Sequence, residues 1–267
     1  TGFETIRKYM ERDYKVPATT EKFLYVSQLL QARGMEIAIE SHRKNRPLCM
    51  GTLFWQLNDC WPAVSWSCLD YEQNPKAFYY SIKNVFRDVI LVNEMRGDKV
   101  ISYMVSDAPD DVYVKITVEL VDFLGNIYYK NTLYHTAKYN TSKQVFAFPL
   151  SLLDENSVPA TATLLKYTLV LNGTETRQQY FYFEKPKNLS LLDPGLRTEK
   201  AGINKIKVTA TKYLAKNVFL YSDHLIFEDN FFDLLPGQSR TVTYRSTLPD
   251  SESTPGISVM SLYDTMK

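Results

Sequence analysis

A chain of 267 residues, 45% of them apolar and 23% charged, has the composition of an ordinary folded protein and room for two or three small domains. Thirty-one basic residues against thirty acidic ones leave a formal charge of +1, so there is no electrostatic footprint for nucleic acid or for an anionic membrane. No apolar run approaches the roughly 18 residues of a membrane span, and the start, Thr1-Gly2-Phe3-Glu4, lacks an initiator Met and a signal-peptide pattern, as expected of a piece cut from something longer.

Over residues 21–44, Phe23, Val26, Leu30 and Ile37 recur at helical spacing, with Thr19 and Thr20 as candidate N-caps and Pro47 as a stop. The pattern predicts a long amphipathic helix. Residues 48–57 form a nearly unbroken run of apolar residues and β-formers, which suits a strand buried on both faces, as in a parallel sheet covered by helices. A second helix is expected over 75–86, opened by Pro75 and burying Phe78, Ile82, Val85 and Phe86. Helix, buried strand, loop and helix make one and a half turns of a β/α repeat.

Near residue 95 the pattern changes to alternation. Residues 112–122 alternate with period two, Leu124-Gly125-Asn126 is a turn, and 127–130 resume the pattern. Further strands are expected at 144–148, 164–171 and 178–184, with Asn172-Gly173 as the turn between the last two. Strands at this spacing predict an antiparallel sandwich of immunoglobulin-like type. Residues 185–194, rich in Pro, Asn and Ser, read as a linker. Strands at 205–211, 218–222, 225–227 and 240–245 then supply a second, smaller sandwich, which 256–263 can close.

All three tryptophans, Trp55, Trp61 and Trp66, fall within one short window, interleaved with Gln56, Asn58 and Asp59. Indole faces stack on the C–H faces of pyranose rings while amides and carboxylates fix hydroxyls, so this composition suits a sugar site. Three core tryptophans are the alternative. Cys49, Cys60 and Cys68 are odd in number and lack CxxC spacing, so they read as buried free thiols and leave the compartment open between periplasmic or secreted and lysosomal. Asn140, Asn172 and Asn188 head N-x-S/T sequons, which permit glycosylation without requiring it. His42, His135 and His224 are scattered and form no metal site, and no cofactor is implied. Glu36 and Glu40, one helical turn apart, read as part of a solvated charged face with Arg43 and Lys44.

The run Gly51-Thr-Leu-Phe-Trp55-Gln56-Leu-Asn58-Asp59-Cys60-Trp61-Pro62, continued by Ser65-Trp66-Ser67, Asp70-Tyr71 and Lys76-Ala-Phe-Tyr-Tyr80, resembles the last barrel strand and following helix of β-mannosidases in glycoside hydrolase family 2. Phe23-Leu-Tyr-Val-Ser-Gln-Leu-Leu-Gln-Ala32 and Arg43-Lys-Asn-Arg-Pro47 resemble the helix before that strand. Phe227-Glu-Asp-Asn-Phe-Phe-Asp-Leu-Leu-Pro-Gly237 is similar to the signature of the terminal β-sandwich in the same enzymes. The resemblance implies a mainly β chain with an α/β N-terminal segment. Residues 1–95 would be the end of a (β/α)8 barrel (helix 7, strand 8, helix 8), followed by immunoglobulin-like sandwiches at 96–185 and 186–267.

It further implies an exo-acting, retaining enzyme that removes terminal non-reducing β-D-mannose from oligosaccharides. Trp55 would be the platform under that ring, followed by a cis Trp55–Gln56 peptide. Asn58 and Asp59 would lie at the mouth of the site, holding sugar hydroxyls or capping their own turn, and Trp61 and Trp66 would serve loop and core packing. Retaining hydrolysis needs two carboxyl groups about 5 Å apart. No motif here matches the family's Asn-Glu acid/base element or its nucleophile segment, so no catalytic residue is assigned and the chain by itself is expected to be inactive. Other family 2 specificities, β-galactosidase or exo-β-glucosaminidase, and a non-catalytic carbohydrate-binding or spacer module are the alternatives. A lone barrel strand would expose two edges and an apolar face. Residues 1–95 are therefore expected to pack mainly on the first sandwich or to self-associate.

Overall fold

The computed structural model describes residues 2–247 and 256–266. Three helices form an N-terminal layer: α1 (Gly2–Asp13), α2 (Thr20–Lys44) and α3 (Ala77–Val85). The long helix follows its apolar spacing, burying Tyr25, Val26, Leu29, Ala32 and Ile39 on one face. It ends at Lys44, just before the cis Arg46–Pro47 bond. The N-terminus of α3 is capped from outside, because the Gln28 side chain of α2 accepts a hydrogen bond from the Ala77 N–H at 3.0 Å. α1 was not read from the sequence: it is short and charge-rich, and Met10 is its one buried residue.

No strand forms over residues 48–57. The segment is extended and alternates, with Thr52, Phe54 and Gln56 half-buried and Leu53, Trp55 and Leu57 exposed, but among the described residues a neighbouring segment meets it only at its end, through Gln56 and Leu57, and no hydrogen-bonded ladder runs along it. The periodicity of a strand is present without the partner a strand requires. Phe54 ties the segment inward, meeting Phe78 of α3 edge-on at 5.2 Å between ring centres.

The first sandwich joins a three-stranded sheet, β1–β2–β5, to a four-stranded one, β4–β3–β6–β7. Its strands are β1 (Val89–Arg96), β2 (Lys99–Ser106), β3 (Val112–Asp122), β4 (Ile127–Ala137), β5 (Thr141–Pro149), β6 (Thr163–Leu171) and β7 (Glu175–Tyr182), and a one-turn helix, α4 (Ser151–Glu155), links β5 to β6. The β1–β2 hairpin runs across residue 95, with Gly97 at φ +60° in its turn. Val114, Ile116, Val118 and Leu120 of β3 alternate into the core against Leu165, Tyr167 and Leu169 of β6 and against Val100 and Met104 of β2.

The second sandwich pairs β11–β13–β9–β8 with β12–β10–β14. Its strands are β8 (Leu196–Lys200), β9 (Lys205–Ala210), β10 (Ala215–Tyr221), β11 (Leu225–Phe227), β12 (Phe232–Leu234), β13 (Ser239–Ser246) and β14 (Ser258–Met260). The stretch 185–194 is no loose linker, since Leu189 is buried with Val121, Phe123 and Leu164 of the first sandwich and Leu214 and Leu235 of the second. Lys216 adds a charged tie there, lying 3.8 Å from the centre of the Tyr182 ring and 3.6 Å from Asp233, which also accepts the Tyr182 hydroxyl at 2.5 Å.

The helical layer packs on the second sandwich, not mainly on the first. Tyr25, Val26, Phe78 and Val85 share a core with Leu262, Phe219, Phe231 and Met260. The Tyr25 hydroxyl donates to Asn217 O at 2.6 Å and the Tyr80 hydroxyl to Phe227 O at 2.8 Å. Contacts to the first sandwich are polar instead: Asp107 receives Arg43 and Arg46 at 2.7 Å each, and Lys44 pairs with Glu94.

Candidate carbohydrate site

Beyond the end of α2 at Lys44 the chain turns at residues 45–48 and then runs to Trp55, which stands 73% exposed, with the peptide to Gln56 cis. Leu53 is fully exposed and Leu57 more than half so, which makes an outward apolar row with the indole at its centre. Trp61 and Trp66 are exposed as well, so neither packs in a core.

The loop behind this row is held by short ladders. Cys68 N–H donates to Gln56 O at 3.1 Å, Leu69 N–H to Leu57 O at 2.9 Å, and Asp59 N–H to Leu69 O at 3.2 Å. Gln31 of α2 donates to Trp66 O at 2.8 Å. Asn58 is exposed, and its side chain donates to Asp59 O at 3.2 Å.

Asp59, in contrast, is buried. Its carboxylate accepts the Ser65 hydroxyl, the Ser67 hydroxyl at 2.8 Å and the Lys76 ammonium at 3.1 Å. Burial works to raise this carboxyl, but those hydrogen bonds and the Lys76 charge prevail and hold it below the usual carboxylate range. Asp70 is engaged too, accepting the backbone N–H of Asn74 at 2.8 Å and its side-chain amide at 3.0 Å. Both carboxylates of the window thus fix loop geometry. Ser65, Ser67 and Lys76 were quoted in the sequence only as parts of a motif; nothing in their spacing discloses that they converge on one carboxylate.

Of the three cysteines, all free, Cys68 is buried, Cys49 is half-buried and Cys60 is exposed. His42 accepts from or donates to Thr52 at 3.0 Å, and no cluster of His, Cys, Asp and Glu suited to a metal occurs among the described residues. Glu36 pairs with Arg33 at 3.1 Å, whereas Glu40 is half-buried and does not behave as a solvated charge: burial, then the neighbouring Glu36 charge, push its carboxyl up to about 7 against the pull of Arg33. Among the described residues no helix is long and apolar enough to cross a membrane.

Residues 98–188 match the Mannosidase Ig/CBM-like domain and residues 191–265 the Ig-fold domain of mannosidases. The two matches together define a class: proteins that carry the paired immunoglobulin-like domains of mannosidases. The chain is 26% identical over 262 residues to β-mannosidase B of Aspergillus flavus, covering 89% of itself and 30% of that protein. To β-mannosidase A of Aspergillus oryzae it is 27% identical over 296 residues, covering 96% of itself and 31% of the relative. It superposes on the crystal structure of β-D-mannosidase from Dictyoglomus thermophilum with a TM-score of 0.80 at 26% identity, over 97% of this chain and 32% of that one. An exo-chitosanase from Amycolatopsis orientalis shares the fold at 19% identity and a TM-score of 0.67, over 96% of this chain and 35% of that one. The chain belongs with the C-terminal portion of the family 2 β-mannosidases, and it spans about a third of the length of the relatives it matches.

Proposed function

We propose that this chain is the C-terminal portion of an exo-acting, retaining β-mannosidase, in which the segment around Trp55 forms one wall of the subsite for a terminal β-D-mannose. The observation that carries the reading is Trp55 itself, an indole left open to solvent on an extended segment whose alternation matches a barrel strand lacking its neighbours. In the whole enzyme that segment is the eighth strand, α2 and α3 are the flanking barrel helices, and the two sandwiches, the first opening with β1 at Val89, brace them. Trp55 stacks beneath the ring. Asn58, exposed at the loop mouth, meets hydroxyls, and Asp59 acts one step back by holding the loop through Lys76.

Retention requires one carboxyl to attack the anomeric carbon and another to protonate the leaving oxygen, about 5 Å apart. Asp59 and Asp70 are each engaged by internal donors that hold the loop, so neither is assigned those roles. The rest of the parent protein provides the pair, and this chain alone is inactive. In the full-length enzyme, Trp55→Ala is expected to lower kcat/KM for an aryl β-mannoside by about 10- to 100-fold, or roughly 1.4–2.8 kcal/mol. Turnover of that substrate by the 267-residue chain alone, or a full-length enzyme that prefers β-galactosides or β-glucosaminides, would overturn the reading.

A further inference from the structure

The outer face of the first sandwich bears a groove of about 420 Å³ that the Trp55 segment has no part in. Strand pairing builds it. On β3, Tyr113 and Lys115 point outward between the core residues Val114 and Ile116; Tyr134 of the edge strand β4 lies directly across from Lys115, and Thr136 across from Tyr113. On the other side Val170 of β6 is the partner of Lys115. The two tyrosines are therefore diagonal neighbours, about 7–8 Å apart by sheet geometry. They are 69% and 74% exposed, so they are not the strand packing that tyrosine-rich β sequence usually signifies.

We propose that this groove binds a neutral oligosaccharide of β-linked hexoses. Two phenol rings on a rigid sheet present flat apolar faces of the kind that receive the C–H face of a pyranose ring, at little cost in side-chain freedom. The hydroxyl of Thr136 and the ammonium of Lys115 stand beside them, on the same face, as hydrogen-bonding groups for sugar hydroxyls. No carboxylate lines the groove and Lys115 is its single fixed charge, so a cationic ligand finds no counter-charge and a polyanion finds only one. The volume lies within the range of about 300–1,000 Å³ usual for small-ligand clefts. Farther along the same face Glu119 is closed off by Lys130 at 3.0 Å and Lys166 at 2.9 Å, which limits the open part to the Tyr113–Tyr134 end. The site stands on the surface of the first sandwich and does not depend on the reading of Trp55.

Titration calorimetry of the 267-residue chain with mannohexaose and with cellohexaose tests it. At least one should bind with a Kd of about 10⁻⁴–10⁻³ M. Tyr134→Ala and Tyr113→Ala should each weaken binding by about tenfold or more with an unchanged circular dichroism spectrum, while Trp55→Ala leaves it intact. Absence of binding by both sugars up to about 10 mM, binding undiminished in the double tyrosine variant, or binding lost in Trp55→Ala alone would overturn the assignment.

Discussion

Asp59 and Lys76 meet at 3.1 Å, the carboxylate from the loop that follows Trp55 and the ammonium from the residue that opens α3. Both side chains are largely withdrawn from water, and the Ser65 and Ser67 hydroxyls complete the carboxylate's set of donors. The pair fixes the loop behind the exposed indole to the helical layer.

Asp59→Ala should destabilise the chain by about 3 kcal/mol, because it leaves the Lys76 ammonium without its counter-charge. The double change Asp59→Leu with Lys76→Met should cost less than the single one. The folded pKa of Asp59 lies below the unfolded value of about 3.9, so the unfolded state binds the proton more readily. The stabilisation is then present above about pH 4 and is lost as pH falls through the folded pKa. Urea melts at pH 7 and pH 3 check this: the gap between wild type and Asp59→Asn should narrow at pH 3.

Glu40 predicts the opposite slope. Its carboxyl is raised to about 7, so between the unfolded value of about 4.3 and pH 7 the folded state holds a proton that the unfolded state has released. Stability from this group falls as pH rises through that window and is level above it. Glu40→Gln should raise Tm at pH 8 by about 2–4 °C and change it little at pH 4. Equal shifts at both pH values would contradict this account.

Asp107 is the hub between α2 and the first sandwich. Arg43 and Arg46 both reach it at 2.7 Å, and both guanidinium side chains are buried, so Asp107→Ala strands two cations. The expected cost is about 3–5 kcal/mol. Because Arg46 directly precedes the Trp55-bearing segment, limited proteolysis should also cut residues 47–57 faster in the variant, and peptide mapping would locate the cut.

Two tyrosine hydroxyls pin the helical layer to the second sandwich. Tyr25→Phe and Tyr80→Phe each leave a backbone carbonyl, of Asn217 or Phe227, without that donor while keeping the packed ring. Each should cost about 1–2 kcal/mol by chemical denaturation. Both rings pack on Phe231, at 6.0 Å for Tyr25 and 5.9 Å for Tyr80, so the double variant should depart from simple additivity.

Much of the architecture was legible in local pattern. The alternation at 112–122 became β3 with the same bounds, the helical spacing from Phe23 to Ile37 became α2, and Asn172 and Gly173, both at positive φ, make the expected turn between β6 and β7. The motif from Phe227 to Gly237 proves structural, since Asn230 grips both backbone groups of Leu220, Asp229 pairs with Arg240, and Asp233 receives Tyr182 and the Asn217 N–H. The β1–β2 hairpin escaped notice because four of the eight β1 residues in a row are buried, which hides the alternation.

The sequence by itself determined many of the elements, the two-sandwich order and the family resemblance, because side-chain periodicity and motif spacing are local properties of a chain. Tertiary structure alone decided that the helical layer rests on the second sandwich, that Asp59 is tied to Lys76 while Trp55 faces solvent, and that Tyr113 and Tyr134 share a groove. Those outcomes depend on which distant groups come within contact range. For residues 48–57 the alternation is written in the chain, but among the described residues backbone hydrogen bonding from a neighbouring segment reaches only Gln56 and Leu57, too little to make the stretch a strand.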